Sequence, residues 1–73
     1  MEINDIVVVQ ISGHLGIIRD HGFHPHRYPT EYLYNVEFGD GSKGEYRDEH
    51  LLLARFVSTP VEIAKFKCEI ENA

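Results

Sequence analysis

The stretch His21-Gly22-Phe23-His24-Pro25-His26 holds the densest set of side chains able to do chemistry. Imidazole is the commonest metal ligand near neutral pH. His-x-x-His-x-His in a loop could bring two or three nitrogens around one ion, with His14 of the neighbouring turn as a further ligand. A structural zinc site wants four closed ligands, and a catalytic one three plus water. This spacing matches none of the standard zinc patterns, and no cysteine stands nearby. No metal or cofactor is therefore assigned, and His21, His24 and His26 are kept only as the alternative. The simpler reading is a solvated surface that changes charge between about pH 6 and 7. With Arg27 and Tyr28 beside it, this surface becomes the expected partner contact: His21, Phe23, His24, His26, Arg27 and Tyr28. Phe23 and Tyr28 could equally hold the loop down.

Other chemistry finds less support. The chain shows no nucleophile–base pair, no phosphate-cradling glycine loop and no paired-carboxylate motif, and Cys68 is remote in sequence from every histidine. An enzyme is not expected. The tyrosines invite an aromatic cage for a cation. However, Tyr32 and Tyr34 alternate in step with Val36 and Phe38, so core packing with hydroxyls at the rim is the expectation. Arg19, Arg27 and Arg47 could form a basic strip, with Phe23 and Tyr28 to stack on bases.

The elements that must position these residues read as short strands. Ile6–Ile11 is β-branched and apolar on both faces, with Val7, Val9 and Ile11 on one and Ile6 and Val8 on the other. Ser12-Gly13-His14 turns the chain into a second strand over Gly16–Arg19. Residues 20–30 hold Gly22, Pro25 and Pro29 and read as a loop of the length that often carries function. A third strand is expected over Glu31–Phe38, then a Gly39-Asp40-Gly41-Ser42 hairpin and a return strand over Lys43–Arg47. Asp48-Glu49-His50 reads as one helical turn, and Leu51–Phe56 as the fifth strand. Thr59-Pro60-Val61-Glu62 then combines a capping threonine, a first-position proline and a third-position glutamate, which predicts a helix from Pro60 to about Glu71.

Together these give an all-β class: an SH3-like five-stranded small barrel over residues 1–57, with a C-terminal α-helix in 58–73 packed on it as one domain. At 100° per residue, Ile63, Phe66 and Ile70 share one helix face, expected to cover the first strand or an open barrel end. Val61, Ala64 and Cys68 fall nearly opposite. They are either half-exposed apolar residues of the ordinary kind or a second contact, to a partner or to another copy in a homo-oligomer.

Composition narrows the partners. Seventy-three residues allow one thin core, and the single cysteine allows no internal disulfide. A lone cysteine fits a reducing compartment. Met1-Glu2-Ile3-Asn4-Asp5 has no basic start or cleavage pattern, and the run Ile6–Val9 is too short to span a bilayer. A cytoplasmic protein with no membrane association is the expectation. Twelve acids oppose seven bases, and up to Phe56 nine acids stand against five bases. Nucleic-acid modules usually carry a basic patch, so a protein partner is favoured over a nucleic acid.

Asn4-Asp5-Ile6-Val7-Val8-Val9, then Gly13-His14-Leu15-Gly16-Ile17-Ile18, then the hairpin Val36-Glu37-Phe38-Gly39-Asp40-Gly41 resemble the KOW and Tudor-like class of small barrels over most of residues 4–55. A narrower pattern is carried by Gly13, Gly16, Ile18, His21-Gly22, Pro25, Leu33-Tyr34, Val36 and Phe38. It resembles the C-terminal barrel of nitrile hydratase β-type subunits and their accessory relatives. The hairpin departs from that family, which has a longer, tryptophan-bearing insertion here. The family's metal sits in a cysteine cluster of the other subunit, which Cys68 alone does not supply. What the likeness implies is a non-catalytic small subunit or accessory factor. The wider class implies, as alternatives, a KOW-type nucleic-acid-associated protein; the charge implies an acidic inhibitor or mimic that occupies a basic protein groove.

Overall fold

The fold is taken from a computed structural model, which describes residues 1–23 and 31–72. Five antiparallel strands lie in one sheet: β1 (Ile6–Val9), β2 (Leu15–Phe23), β3 (Tyr32–Phe38), β4 (Lys43–Tyr46) and β5 (Leu51–Leu53), in the order β4-β3-β2-β1-β5. A 3-10 turn at Asp48–His50 precedes β5, and two helices follow it, α1 (Ala54–Val57) and α2 (Pro60–Glu71). The β-rich class with a C-terminal helix is thus as expected. Barrel closure is not seen as a ladder, because β4 and β5 form the two edges of an open sheet. Among the described residues, no helix is long and apolar enough to cross a membrane.

The main core cluster occupies one face of the sheet. Val7, Val9, Ile18, Val36 and Leu51 are buried there, with Tyr34, Phe38, Tyr46 and Leu53 packed around them. Register explains the grouping: Val7 pairs with Gly16 and Leu53, Val9 with Leu51, and Ile18 with Val36. Directly paired residues project to the same face. Gly16 sits in this layer because a Cβ there would lie 2.2 Å from Cγ1 of Val36.

Three strand ends differ from expectation by two residues or more. β1 stops at Val9 rather than Ile11, because the Val9 carbonyl accepts from the amides of Ser12 and Gly13 and closes a turn. Ile11 is therefore 93% exposed and no part of the core. β5 ends at Leu53, where the chain coils so that Ala54 is buried and the Ser58 amide donates to the Ala54 carbonyl. The third difference concerns β2. It does not end at Arg19 but runs on to Phe23, with an irregularity between Ile18 and Asp20.

The helix begins as its sequence predicts. Thr59 Oγ1 accepts from the Glu62 amide at 3.2 Å and donates to Glu62 Oε1 at 3.1 Å, a reciprocal cap worth about 1 kcal/mol. Phe66 is buried and Ile63 and Ile70 are half-buried, so the bulky stripe faces inward. α2 packs against β2 and α1, and Phe66 reaches the β3–β4 hairpin near Gly39.

Candidate functional site

β2 is paired on both sides only in its first half. β1 reaches Ile17 in its ladder, and the Ile18 amide donates to the Asp5 carbonyl. β3 continues alongside β2 to the pair Phe23–Tyr32. The two strands thus extend past the core as a two-stranded ribbon. What the sequence suggested was loop at residues 20–23 is strand, and it places side chains by rule.

Arg19 sets that rule. Ile18 pairs with Val36 and Asp20 with Asn35, so Arg19 is one residue too many for β3 and forms a bulge. An inserted residue reverses which parity faces which side. Before the bulge, Gly16 and Ile18 share the core face; after it, His21 and Phe23 do. His21 pairs with Tyr34 and Phe23 with Tyr32, so four rings line one surface.

Their geometry is that of edge-on aromatic packing. Phe23 and Tyr32 meet at 5.0 Å between centroids and 86°, and Tyr32 and Tyr34 at 5.5 Å and 69°. His21 lies 5.7 Å from Tyr32 and 5.8 Å from Tyr34. The Tyr32 hydroxyl and Nδ1 of His21 share a hydrogen bond, which fixes both rings. Edge-to-face pairs each add about 1 kcal/mol beyond burial, so the cluster is ordered although its outer end is open. Exposure grows outward: Val36 is fully buried, Tyr34 half-buried, Tyr32 38% exposed and Phe23 69% exposed. Burial, then Tyr32 and Asp48, hold the Tyr34 phenol above its ordinary pKa.

Of the expected contact residues, the structure brings His21 and Phe23 together on this surface. His24, His26, Arg27 and Tyr28 lie outside the described residues. Tyr32, read from its alternation as core, belongs to the surface instead. The missing signal was where the core ends on this face: Tyr32, the first residue of β3, lies beyond it, and alternation alone does not show that. The expected second contact is spread along the outer side of α2, where Val61 is 78% exposed and Ala64 and Cys68 are exposed.

The metal alternative loses one ligand. His14 precedes β2 at its start and His21 lies near its end, about 20 Å apart at strand rise. The described residues contain no group of three metal-capable side chains, and His24 and His26 fall outside them. Of the basic strip, Arg27 lies outside the described residues and the other two arginines are engaged. Arg19 Nε lies 3.4 Å from Glu37 Oε1, and Arg47 pairs with Glu31 and Glu49. Compared with protein-family models, with curated proteins and with solved structures, the chain matches none.

Proposed function

We propose that this chain is a non-catalytic protein-binding module of the SH3-like small-barrel kind, serving as a small subunit or accessory factor of a larger complex. The observation that carries the reading is Phe23, 69% exposed yet seated on a strand and fixed edge-on against Tyr32. A large aromatic held rigid at a surface loses little entropy on binding, which is the character of an interface anchor. His21 and Tyr32 flank it, with Arg27 and Tyr28 of the adjoining segment as further contacts. The barrel reading draws support from the β4-β3-β2-β1-β5 order, the tight β3–β4 hairpin and the 3-10 turn before β5. The ion pairs of Arg19 and Arg47, on a chain of net charge −5, favour a protein over a nucleic acid.

Capture of the tagged chain from native lysate, with and without nuclease, tests this. A stoichiometric protein is expected to survive nuclease and to be lost from a Phe23→Ser, Tyr32→Ser double variant that still folds. Loss of all captured material on nuclease treatment would replace the reading with nucleic-acid association of the KOW kind. A protein retained equally by the double variant would move the contact elsewhere on the surface.

A further inference from the structure

The sheet gives β4 one strand neighbour, β3, and leaves its other edge open. The hairpin fixes the phase of that edge. The Phe38 amide donates to the Ser42 carbonyl at 2.8 Å, so these two residues face each other. Hydrogen-bonded pairs recur at every second residue of an antiparallel ladder. Val36–Gly44 and Tyr34–Tyr46 are therefore the next bonded pairs, and Lys43 and Glu45 turn their amides and carbonyls to the open edge. Both side chains are exposed, on the face away from the core, because Gly44 between them pairs with the core residue Val36. The next carbonyl in phase, that of Arg47, already accepts from the His50 amide at 3.0 Å.

An open edge is a template for another strand, and charged side chains usually guard it. Here the charges select a register instead. Antiparallel pairing of two copies of β4 must set outward-facing residues opposite one another. Lys43 opposite Lys43 sets ammonium against ammonium. Glu45 opposite Glu45 sets carboxylate against carboxylate and brings Lys43 against Arg47. Lys43 opposite Glu45 of the second copy, repeated by the two-fold, meets opposite charge at both positions. Neither side chain is committed within the chain. Glu37, the cross-strand neighbour of Lys43, lies 3.4 Å from Arg19, and the ion pairs among the described residues leave out Lys43 and Glu45. The axis of this register falls on Gly44. A glycine inside a strand often marks a close approach of backbone. The Tyr46 ring folds over it, so that a Cβ there would lie 2.8 Å from Cε2 of the tyrosine. With Gly44 opposite Gly44 of the second copy, no side chain separates the backbones at the axis, and the two half-buried Tyr46 rings meet above it.

We propose that β4 pairs antiparallel with β4 of a second copy of this chain, about a two-fold axis at Gly44, and so joins two sheets into one. In each half of the contact, Lys43 and Glu45 of the second copy exchange amide–carbonyl hydrogen bonds and form a cross-strand ion pair. The contact is short, well below the area that a permanent dimer buries, so the dimer is weak and forms at roughly submillimolar concentration. It uses the sheet edge rather than the outer side of α2. It is separate from the aromatic end of β2 and β3 and does not depend on it.

The test is sedimentation equilibrium of the full chain up to about 1 mM at physiological ionic strength, beside concentration-dependent ¹⁵N amide shifts. The parent should dimerise, with shifts centred on Lys43 and Glu45. Lys43→Glu places like charges at both pairs, as does Glu45→Lys, and each should weaken self-association about tenfold or more. An equimolar mixture of the two variants restores opposite charge at both pairs and should dimerise as the parent does. Both variants stay net negative, so net charge does not draw them together. Both changes are at exposed positions, and circular dichroism checks that each variant folds. Ala64→Glu on the outer side of α2, and the Phe23→Ser, Tyr32→Ser variant, should associate as the parent does. A parent still monomeric at about 1 mM would overturn the proposal. So would a single charge variant that dimerises like the parent, a mixture that stays monomeric, or association lost in Ala64→Glu.

Discussion

The two halves of β2 obey opposite rules. Leu15–Ile18 runs between β1 and β3, and Gly16, Ile17 and Ile18 are all buried. Asp20–Phe23 has β3 alongside it, and Asp20, His21 and Phe23 are exposed. The two halves differ in propensity, by one bulged residue and by the reach of β1. A single strand can therefore carry core packing in one half and present a fixed aromatic surface in the other. The first half supplies most of the stability, and the second adds a little while holding rings where solvent reaches them.

That contrast predicts a steep gradient of mutational cost along one strand. Ile18→Ala empties a fully buried position and should cost about 3 kcal/mol, a large share of the roughly 5 kcal/mol expected for a chain of this length. Gly16→Ala drives a methyl into Val36 and should cost about 2 kcal/mol. Phe23→Ala, five residues past Ile18, should cost under about 1 kcal/mol, chiefly its edge contact with Tyr32. Urea unfolding of the three variants reads the gradient directly. A Phe23→Ala cost equal to that of Ile18→Ala would mean that the second half is core after all.

The first half was readable in the sequence and the second was not. Val7, Val9, Val36 and the capped start of α2 follow from alternation and capping chemistry, which act within a few residues. Ile11 and Phe56 fall outside the strands because the Val9 carbonyl closes a turn with the Ser12 and Gly13 amides and the chain coils from Ala54, neither of which alternation marks. At residues 20–23, Asp20, Gly22 and the prolines beyond signalled loop, and only pairing with Tyr32–Asn35 makes the segment strand. The bulge left no sequence mark. Counted by parity from Ile18, the residues sharing its face would be Asp20 and Gly22, whereas the structure puts His21 and Phe23 there. His21 and Phe23 were thus identified by residue type, and Tyr32 was missed by pattern.

Tyr34 marks the boundary between core and surface and can report on it. Its phenol pKa is raised, first by burial and then by Tyr32 and Asp48. A group with a raised folded pKa contributes stability that is fully present below its unfolded pKa, about 10, and is lost as pH rises through the folded value. The protein should therefore lose stability above about pH 10, and Tyr34→Phe should remove that part of the loss while changing little at pH 7. Spectrophotometric tyrosine titration beside urea unfolding checks this. An unchanged alkaline loss in Tyr34→Phe would place the sensitive group elsewhere.

The smallest expected effect lies at the bulge itself. Arg19 pairs with Glu37 at 3.4 Å, with side chains 39% and 19% exposed. Solvent screening at that exposure leaves the pair worth about 0.5 kcal/mol or less. Arg19→Ala and Glu37→Gln both remove the pair, but only the first alters the bulged residue. If the bulge is set by pairing Ile18 with Val36 and His21 with Tyr34, the two variants should cost the same small amount, and both should keep the ring contacts between Phe23 and Tyr32. If Arg19→Ala costs clearly more and those contacts vanish from the nuclear Overhauser spectrum, the arginine itself fixes the parity. The aromatic surface would then depend on one exposed side chain rather than on the register of the whole ribbon.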